Sequence, residues 1–402
     1  MKFTCEYREL LTGLEKVAIV ADDTNSSDDI KNIIFRFEKH EDGIQSCTLI
    51  GVNVGITYKH YLAYDKYKLE LADEDLTNKV AYMQIKCKDL LGFLNVYKST
   101  RRTKVEEVTF EFKNEVQIQC SVLEYDTNEA KTPYISNYIF NNIPIKPNML
   151  PSIESQPLNR PLDVDTEKLK FIISTLLNTL QNSTTDMYSK LNFGTDYILA
   201  FNQYYVALMK NVLAENHIFE SMKLSYKALS FLDTVICKQE NLKVSKANNQ
   251  LYVHTDTSES YIKFDENVPS SAQFIKMFTK EQGFSIDRIL FKDVLKRLEL
   301  SKENIEVTVK PSFNIINLRN SQFTQDIPLL NQKGMKDAAE FSMSIAPRTL
   351  ANALIGKDSE FSDVSYIYYI TQENGKTALF FTDDTDSWFT YARVNTTTKT
   401  MF

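Results

Sequence analysis

The sequence predicts an α+β fold of three similar sheet-backed domains, each a duplicated strand–helix–hairpin unit with two helices on one face. Three observations predict it. A short alternating stretch runs directly into apolar residues at helical spacing six times along the 402 residues. Hairpin signals, two alternating runs about a polar turn, follow these units. The pattern pauses at segments 141–161 and 266–283, which leaves pieces of ordinary domain size at 1–150, 151–277 and 278–402.

The first unit is "MKFTCEYRELLTGLEKV", residues 1–17, with no breaker between strand and helix. It recurs as "LDVDTEKLKFIISTLL" from Leu162 and as "FSIDRILFKDVLKRLEL" from Phe284. In the former, Leu162 and Val164 alternate before Leu169, Ile172, Ile173 and Leu176 take up helical spacing. A second set of units begins at Met83, Met222 and Phe341, with alternating strand positions such as Met83, Ile85 and Cys87. Hairpins follow this set from Val108, Leu242 and Ser365. In the last, Asn374 and Gly375 suit a two-residue turn whose central residues both need positive φ. An earlier hairpin turns near Asp42 and Gly43. Segment 141–161 contains Pro144, Pro147, Pro151, Pro157 and Pro161 and reads as an extended linker, with 266–283 as a second.

Composition excludes several classes. A hydrophobic fraction of 43% with 25% charged residues is ordinary for a globular protein, and no apolar run approaches a membrane span. Glu6, Arg8 and Glu9 interrupt the segment a signal peptide would need, so secretion is not expected. Cys5, Cys47, Cys87, Cys120 and Cys237 are scattered with no CxxC pair and read as reduced core thiols. The net charge of −7 argues against a uniformly basic nucleic-acid binder but allows a locally basic surface.

The opening "MKFTCEYRELLTGLEKV" and the ending "YIFNNIPIKPNMLPSI" of the first domain resemble the bacterial β sliding clamps, the DNA polymerase processivity factors. The resemblance spans the chain in layout, with close identity confined to the first twenty residues. It implies the DNA clamp fold, and its departures, with an Asn-, Lys- and Tyr-rich composition, suggest a phage or viral version. It also implies a closed homodimeric ring of six domains that presents its helices inward around duplex DNA, without sequence specificity. DNA polymerase and a clamp loader are the implied partners, with no cofactor and no membrane.

Charge follows the helices. The six helix-like stretches (8–20, 88–104, 166–180, 219–234, 289–300 and 346–357) hold 16 Lys and Arg against 8 Asp and Glu, a net +8 that leaves −15 for the rest. A positive lining attracts phosphates without reading bases. The candidate DNA contacts are Lys98, Arg101, Arg102 and Lys104 at the end of the second helix, with Lys168, Lys170, Lys223, Lys227, Lys296, Arg297, Arg348 and Lys357. Lysines on an amphipathic helix are also simply solvated, and the loop "ADDTNSSDD", residues 21–29, is acidic where the clamp family tends to be basic.

In the clamp family, partners insert a short hydrophobic peptide between domains two and three. The resemblance places that pocket at Phe201, Gln203, Tyr205 and Val206, with Pro269 and Phe274 from the second linker and Val394 near the C-terminus. Phe201, Gln203 and Tyr205 depart from the family pattern, which implies altered specificity. The ring interface falls on Tyr138 and Phe140 of a domain-one edge strand and on Leu298 and Leu300 of domain three. The plain alternative for each is packing within its own domain.

Catalysis finds little support. His40, His60, His217 and His254 are dispersed, and "GKT" at 375–377 lacks the glycine a phosphate loop needs, since Ile370 stands there. Two competing readings are an open, monomeric clamp-like adaptor for a polymerase and a metal-dependent enzyme using Asp383 and Asp384 on the acidic run 382–386.

Overall fold

The computed structural model describes residues 1–21, 31–72, 76, 79–98, 103–126, 133–154, 159–180, 189–201, 205–213, 217–238, 241–276, 280–335, 340–354, 363–371, 376–383 and 388–398. In chain order the strands of residues 1–164 are β1 (Lys2–Glu6), β2 (Asn32–Lys39), β3 (Gln45–Val52), β4 (Ile56–Tyr61), β5 (Tyr67–Glu70), β6 (Val80–Lys86), β7 (Thr103–Asn114), β8 (Gln117–Asp126), β9 (Tyr134–Asn141) and β10 (Leu162–Asp163). Their helices are α1 (Tyr7–Ala21), α2 (Cys87–Lys98) and the single turn α3 (Leu150–Ile153). Next come α4 (Thr166–Leu176), β11 (Lys190–Phe193), β12 (Tyr197–Phe201), β13 (Tyr205–Lys210), β14 (Met222–Ser225), α5 (Tyr226–Phe231), β15 (Lys243–Ala247), β16 (Gln250–Thr255) and β17 (Ser258–Lys263). The chain continues with α6 (Ala272–Ile275), β18 (Gly283–Asp287), α7 (Arg288–Glu299), β19 (Ile305–Lys310), β20 (Ile315–Arg319), β21 (Thr324–Pro328), β22 (Asn331–Lys333) and β23 (Phe341–Ile345). It closes with α8 (Pro347–Ala353), β24 (Val364–Thr371), β25 (Lys376–Thr382) and β26 (Trp388–Thr398).

All six strand–helix units are present. In β1 the alternation buries Phe3 and Cys5 and exposes Lys2 and Glu6, and α1 starts at the next residue. Three later helices begin with a side-chain cap that satisfies a first-turn N–H. Asp165 Oδ1 accepts from Lys168 N, Ser225 Oγ from Ala228 N, and Asp287 Oδ1 from Leu290 N. Pro347 opens α8 at a position where its missing N–H costs nothing.

Two compact units emerge, one of residues 1–164 with 234–263 and one of residues 165–233 with 264–402. They cut across the expected middle segment 151–277, whose strands β15–β17 belong to the first unit. That unit has a five-stranded sheet, β5-β1-β7-β8-β9, and an eight-stranded one, β10-β15-β16-β17-β4-β3-β2-β6. Helix α1 buries Leu10, Leu14 and Val17 at successive turns and packs on β3 and β4. Gly51 permits the approach, because a Cβ there would lie 2.7 Å from the Val17 carbonyl oxygen. Tyr7 Oη donates to the Leu94 carbonyl at 3.0 Å and ties α1 to α2. Phe3 centres an aromatic core with Phe35, Phe37 and Phe110.

The expected extended linker at 141–161 folds in part. Pro147–Met149 and α3 form successive short turns whose Met149 and Ile153 pack on Ile34, Ile50 and Val52. Arg36 then grips the end of α3 bidentately, Nε to Glu154 Oε1 at 3.0 Å and Nη2 to Oε2 at 3.1 Å, while Tyr82 Oη donates to the same carboxylate. On the same sheet Lys59 pairs in register with Glu259 and lies 5.0 Å from the centroid of the Tyr261 ring.

The second unit is built on a thirteen-stranded sheet in which β26 pairs with β13, β25 and β23. Trp388 at the start of β26 is fully buried, and its carbonyl accepts from Thr382 Oγ1 at 2.7 Å. Strands β24 and β25 pair from Tyr366↔Thr382 to Thr371↔Thr377, as the hairpin reading requires; Asn374 and Gly375 lie outside the described residues. The second expected linker also contains a helical turn, α6.

Candidate nucleic-acid interface and partner site

The second helix is shorter than its sequence suggests, and this moves the basic stretch. Helix α2 ends at Lys98, whereas Lys104 is on β7 and pairs with Glu106 at 2.9 Å. Lys104 is therefore a strand residue, not a helix one; Arg101, Arg102 and Lys357 lie outside the described residues. Lys223 is also a strand residue, on β14, where its backbone bridges to Asp265. Lys168 and Lys170 are on α4, Lys227 on α5, Lys296 and Arg297 on α7, and Arg348 on α8.

Within the observed bounds the helices hold 12 Lys and Arg against 6 Asp and Glu, a net +6. One of the twelve, Arg288, is fully buried and cannot serve a surface. Lys98 pairs with Glu15 at 2.6 Å, Lys168 with Asp165 at 3.8 Å and Lys296 with Asp293 at 3.1 Å. Exposed pairs of this kind contribute about 0–1 kcal/mol, so a phosphate can compete for these lysines. Lys170, Arg297 and Arg348 make no ion pair among the described residues. Lys88, which sequence periodicity does not single out, is exposed in the first turn of α2. A cleft of about 380 Å³ beside Arg8 and Lys104 is also lined by Glu6, Glu106 and Glu107, so its charge is mixed.

Three of the expected partner-site residues, Phe201, Val206 and Phe274, come together in the second unit. Leu199, Phe201 and Leu208 are at most 2% exposed, and Tyr197, Val206, Phe274 and Ile275 pack against them. The Phe201 and Phe274 rings meet edge to face at 5.4 Å. Pro269 is half-buried ahead of α6. The backbone of Tyr205 pairs with Ala392 and that of Val394 with Thr377, so both flank β26 pairings; Gln203 lies outside the described residues.

The expected ring-interface pairs divide. Strand β9 is an edge of its sheet, and Tyr138 and Ile139 on it are 48% and 57% exposed, with Tyr134 and Ile135 exposed beside them. Phe140 instead turns into the core, 4.7 Å from the Tyr138 ring and 5.7 Å from Phe93. On α7, Leu298 continues the buried stripe of Phe291, Val294 and Leu295, whereas Leu300, just past the helix end, is 85% exposed. Phe140 and Leu298 thus take the plain alternative.

The four histidines do not converge. His40 lies beside Ser46, His217 beside Glu220 and His254 near Glu259, on separate elements. His60 is buried on β4, its Nδ1 without a hydrogen-bond partner among the described residues, and burial with nearby Lys16 pushes it down to about 4. Among the described residues no group of three His, Cys, Asp or Glu could hold a metal ion, and none of the helices is long and apolar enough to cross a membrane. Asp383 is buried, while Asp384 lies outside the described residues.

No protein-family profile matches the chain, and no curated protein matches it in sequence. Solved structures do match it. The β chain of DNA polymerase III from Streptococcus pneumoniae superposes with a TM-score of 0.74 at 13% identity, over 98% of this chain and 99% of that one. The DNA polymerase III subunit β from Borrelia burgdorferi gives 0.72 at 12%, over 100% and 99%. The DNA polymerase sliding clamp from Bacillus subtilis gives 0.69 at 13%, over 100% of both. At such identities the likeness establishes the fold: this chain has the sliding-clamp fold along essentially its whole length.

Proposed function

We propose that this chain, built on the sliding-clamp fold, is a non-enzymatic processivity factor: a ring that encloses duplex DNA and tethers a replicative DNA polymerase. One observation carries the reading. In a chain of net charge −7, the helices are net positive. That segregation suits a lining that holds phosphates without reading bases.

In this reading the three repeats, 1–150, 151–277 and 278–402, are the clamp domains. Lys98, Lys168, Lys170, Lys227, Lys296, Arg297 and Arg348 contact phosphates, with Arg101, Arg102, Lys104, Lys223 and Lys357 as further cations. The exposed apolar edge of β9 around Tyr138 is covered by a second copy, which also covers Leu300, because an open apolar edge strand invites aggregation. Polymerase and clamp loader bind as short hydrophobic peptides at Phe201, Gln203, Tyr205, Val206, Pro269, Phe274 and Val394.

The test is retention on circular against linearised DNA after loader-assisted loading. A closed ring stays on the circle and runs off free ends; equal loss from both refutes enclosure. Sedimentation separates this from the open monomeric reading. A dimer is expected, and a monomer with Tyr138 still reactive to surface labelling refutes the closed ring.

A further inference from the structure

We infer that Lys59, Glu259 and the small-to-large pairs beside them form a pairing key, which selects β17 as the neighbour of β4, in one register, while the chain folds. The need for a key comes from repetition. Six similar strand–helix units with their hairpins lie in one chain, so a strand edge can meet the wrong repeat, a characteristic misassembly of repetitive chains. Among the described residues two ladders join different segments: β4 of 1–150 pairs with β17 of 151–277, and β13 of 151–277 pairs with β26 of 278–402. The first lies within the first unit and the second within the second unit.

The two ladders are written differently. From Tyr205↔Ala392 to Met209↔Trp388, the β13–β26 ladder carries no charged residue on either strand. In the β4–β17 ladder Lys59 and Glu259 face each other. Lys59 is 6% exposed and lies 5.0 Å from the centroid of the Tyr261 ring, and Tyr261 Oη donates to Glu259 Oε2 at 3.3 Å. Burial pushes the Lys59 ammonium below its ordinary value, and Glu259 is the foremost charge opposing that shift. On the other face of the sheet, Ser258 and Ser260 are fully buried opposite His60 and Tyr58, so small residues of one strand make room for the rings of the other.

Each wrong pairing breaks part of this pattern. A one-residue slip puts Lys59 and Glu259 on opposite faces of the sheet. A two-residue slip keeps the faces but sets Lys59 against Tyr261 or Thr257, and in the former case drives Tyr58 against Ile262. Pairing β4 with β26, or β17 with β13, leaves one buried charge facing an uncharged strand, which is strongly unfavourable. The correct ladder itself gains little over apolar residues of similar size, because desolvation offsets most of the attraction. The pair therefore contributes discrimination more than strength.

The test separates fidelity from stability in the full-length protein. Lys59→Met combined with Glu259→Leu replaces the pair with apolar side chains and should keep or raise the urea midpoint. After refolding from urea, the same variant should give at least about threefold less chain with wild-type protection of the β4 and β17 amides, read by hydrogen exchange. Glu259→Gln keeps an acceptor for Tyr261 but removes the charge; it should give an intermediate loss and serves if the double variant does not fold. The same apolar replacement at the exposed pair Lys79 and Glu41 controls for added hydrophobicity and should leave the yield unchanged. A wild-type yield from the folded key variants, an equal loss in the control, or a loss that merely follows a lowered midpoint overturns the inference.

Discussion

Acidification should loosen the first unit through one residue, His60. The ring is 4% exposed under α1, where a Cβ on Gly13 would approach its Cδ2 to 2.7 Å. Burial, with the Lys16 charge, lowers it from the ordinary 6.5 to about 4. At about 1.4 kcal/mol per pH unit, the charged ring is disfavoured in the folded state by about 3 kcal/mol. Because the folded value is depressed, this stability is present above pH 6.5 and is lost as pH falls towards 4. Between pH 7 and pH 5 the loss is about 2 kcal/mol. His60→Leu removes the titration and an unpaired buried nitrogen, so the stability difference between wild type and variant should move by about 2 kcal/mol over that interval. Hydrogen exchange of the β4 amides at the two pH values measures it where it arises. A difference that does not move with pH, or a His60 ring that titrates near 6.5 by NMR, refutes the reasoning.

Gly51→Ala places a methyl group against the Val17 carbonyl and should cost about 1–3 kcal/mol in urea unfolding; an unchanged midpoint would show that α1 can shift freely. Arg36→Ala should free α3 and cost about 1 kcal/mol, after allowance for the exposure of Glu154. Burial pushes the Glu154 carboxyl up, but Arg36 and Tyr82 outweigh it and hold the group low. The latch therefore weakens as pH falls through that lowered value, and the variant should show a flatter acid limb. The five thiols are buried, and burial pushes Cys5 and Cys120 up to about 12, so native protein at pH 8 should resist a thiol reagent that labels all five in denaturant. Replacing Lys170, Arg297 and Arg348 with Gln should weaken DNA binding. It should also reduce the slope of log affinity against log salt by about 0.9 for each cation in contact, and an unchanged slope removes them from the interface.

The strand-to-helix units were legible because period 2 gives way to helical spacing within a few residues, as at Glu6–Tyr7 and Asp287–Arg288. Helix ends were less legible. Nothing between Val96 and Lys104 stops a helix by composition, and only the buried alternation of Val105, Val108 and Phe110, interrupted by a bulge near Glu106, marks β7. The proline-rich linker concealed a turn whose signal was Met149 and Ile153 at i and i+4. In the candidate site, Phe201, Val206 and Phe274 were found by position and do converge. Leu298 and Phe140 are buried, against expectation, because exposure depends on which face an element turns; on α7 the neighbouring Arg297 and Glu299 face outward. The pairing of β4 with β17 joins residues some two hundred positions apart and leaves no local trace.

Trp388 is the sole tryptophan, and it is sealed at the start of β26 in the second unit. Its emission should be blue-shifted and resistant to aqueous quenchers, and it reports only the collapse of the sheet around it. Circular dichroism, in contrast, sums the backbone of both units. Recording the two signals during one denaturant titration therefore yields a built-in measure of cooperativity: coincident curves mean that the units melt together, and separated curves give each its own midpoint.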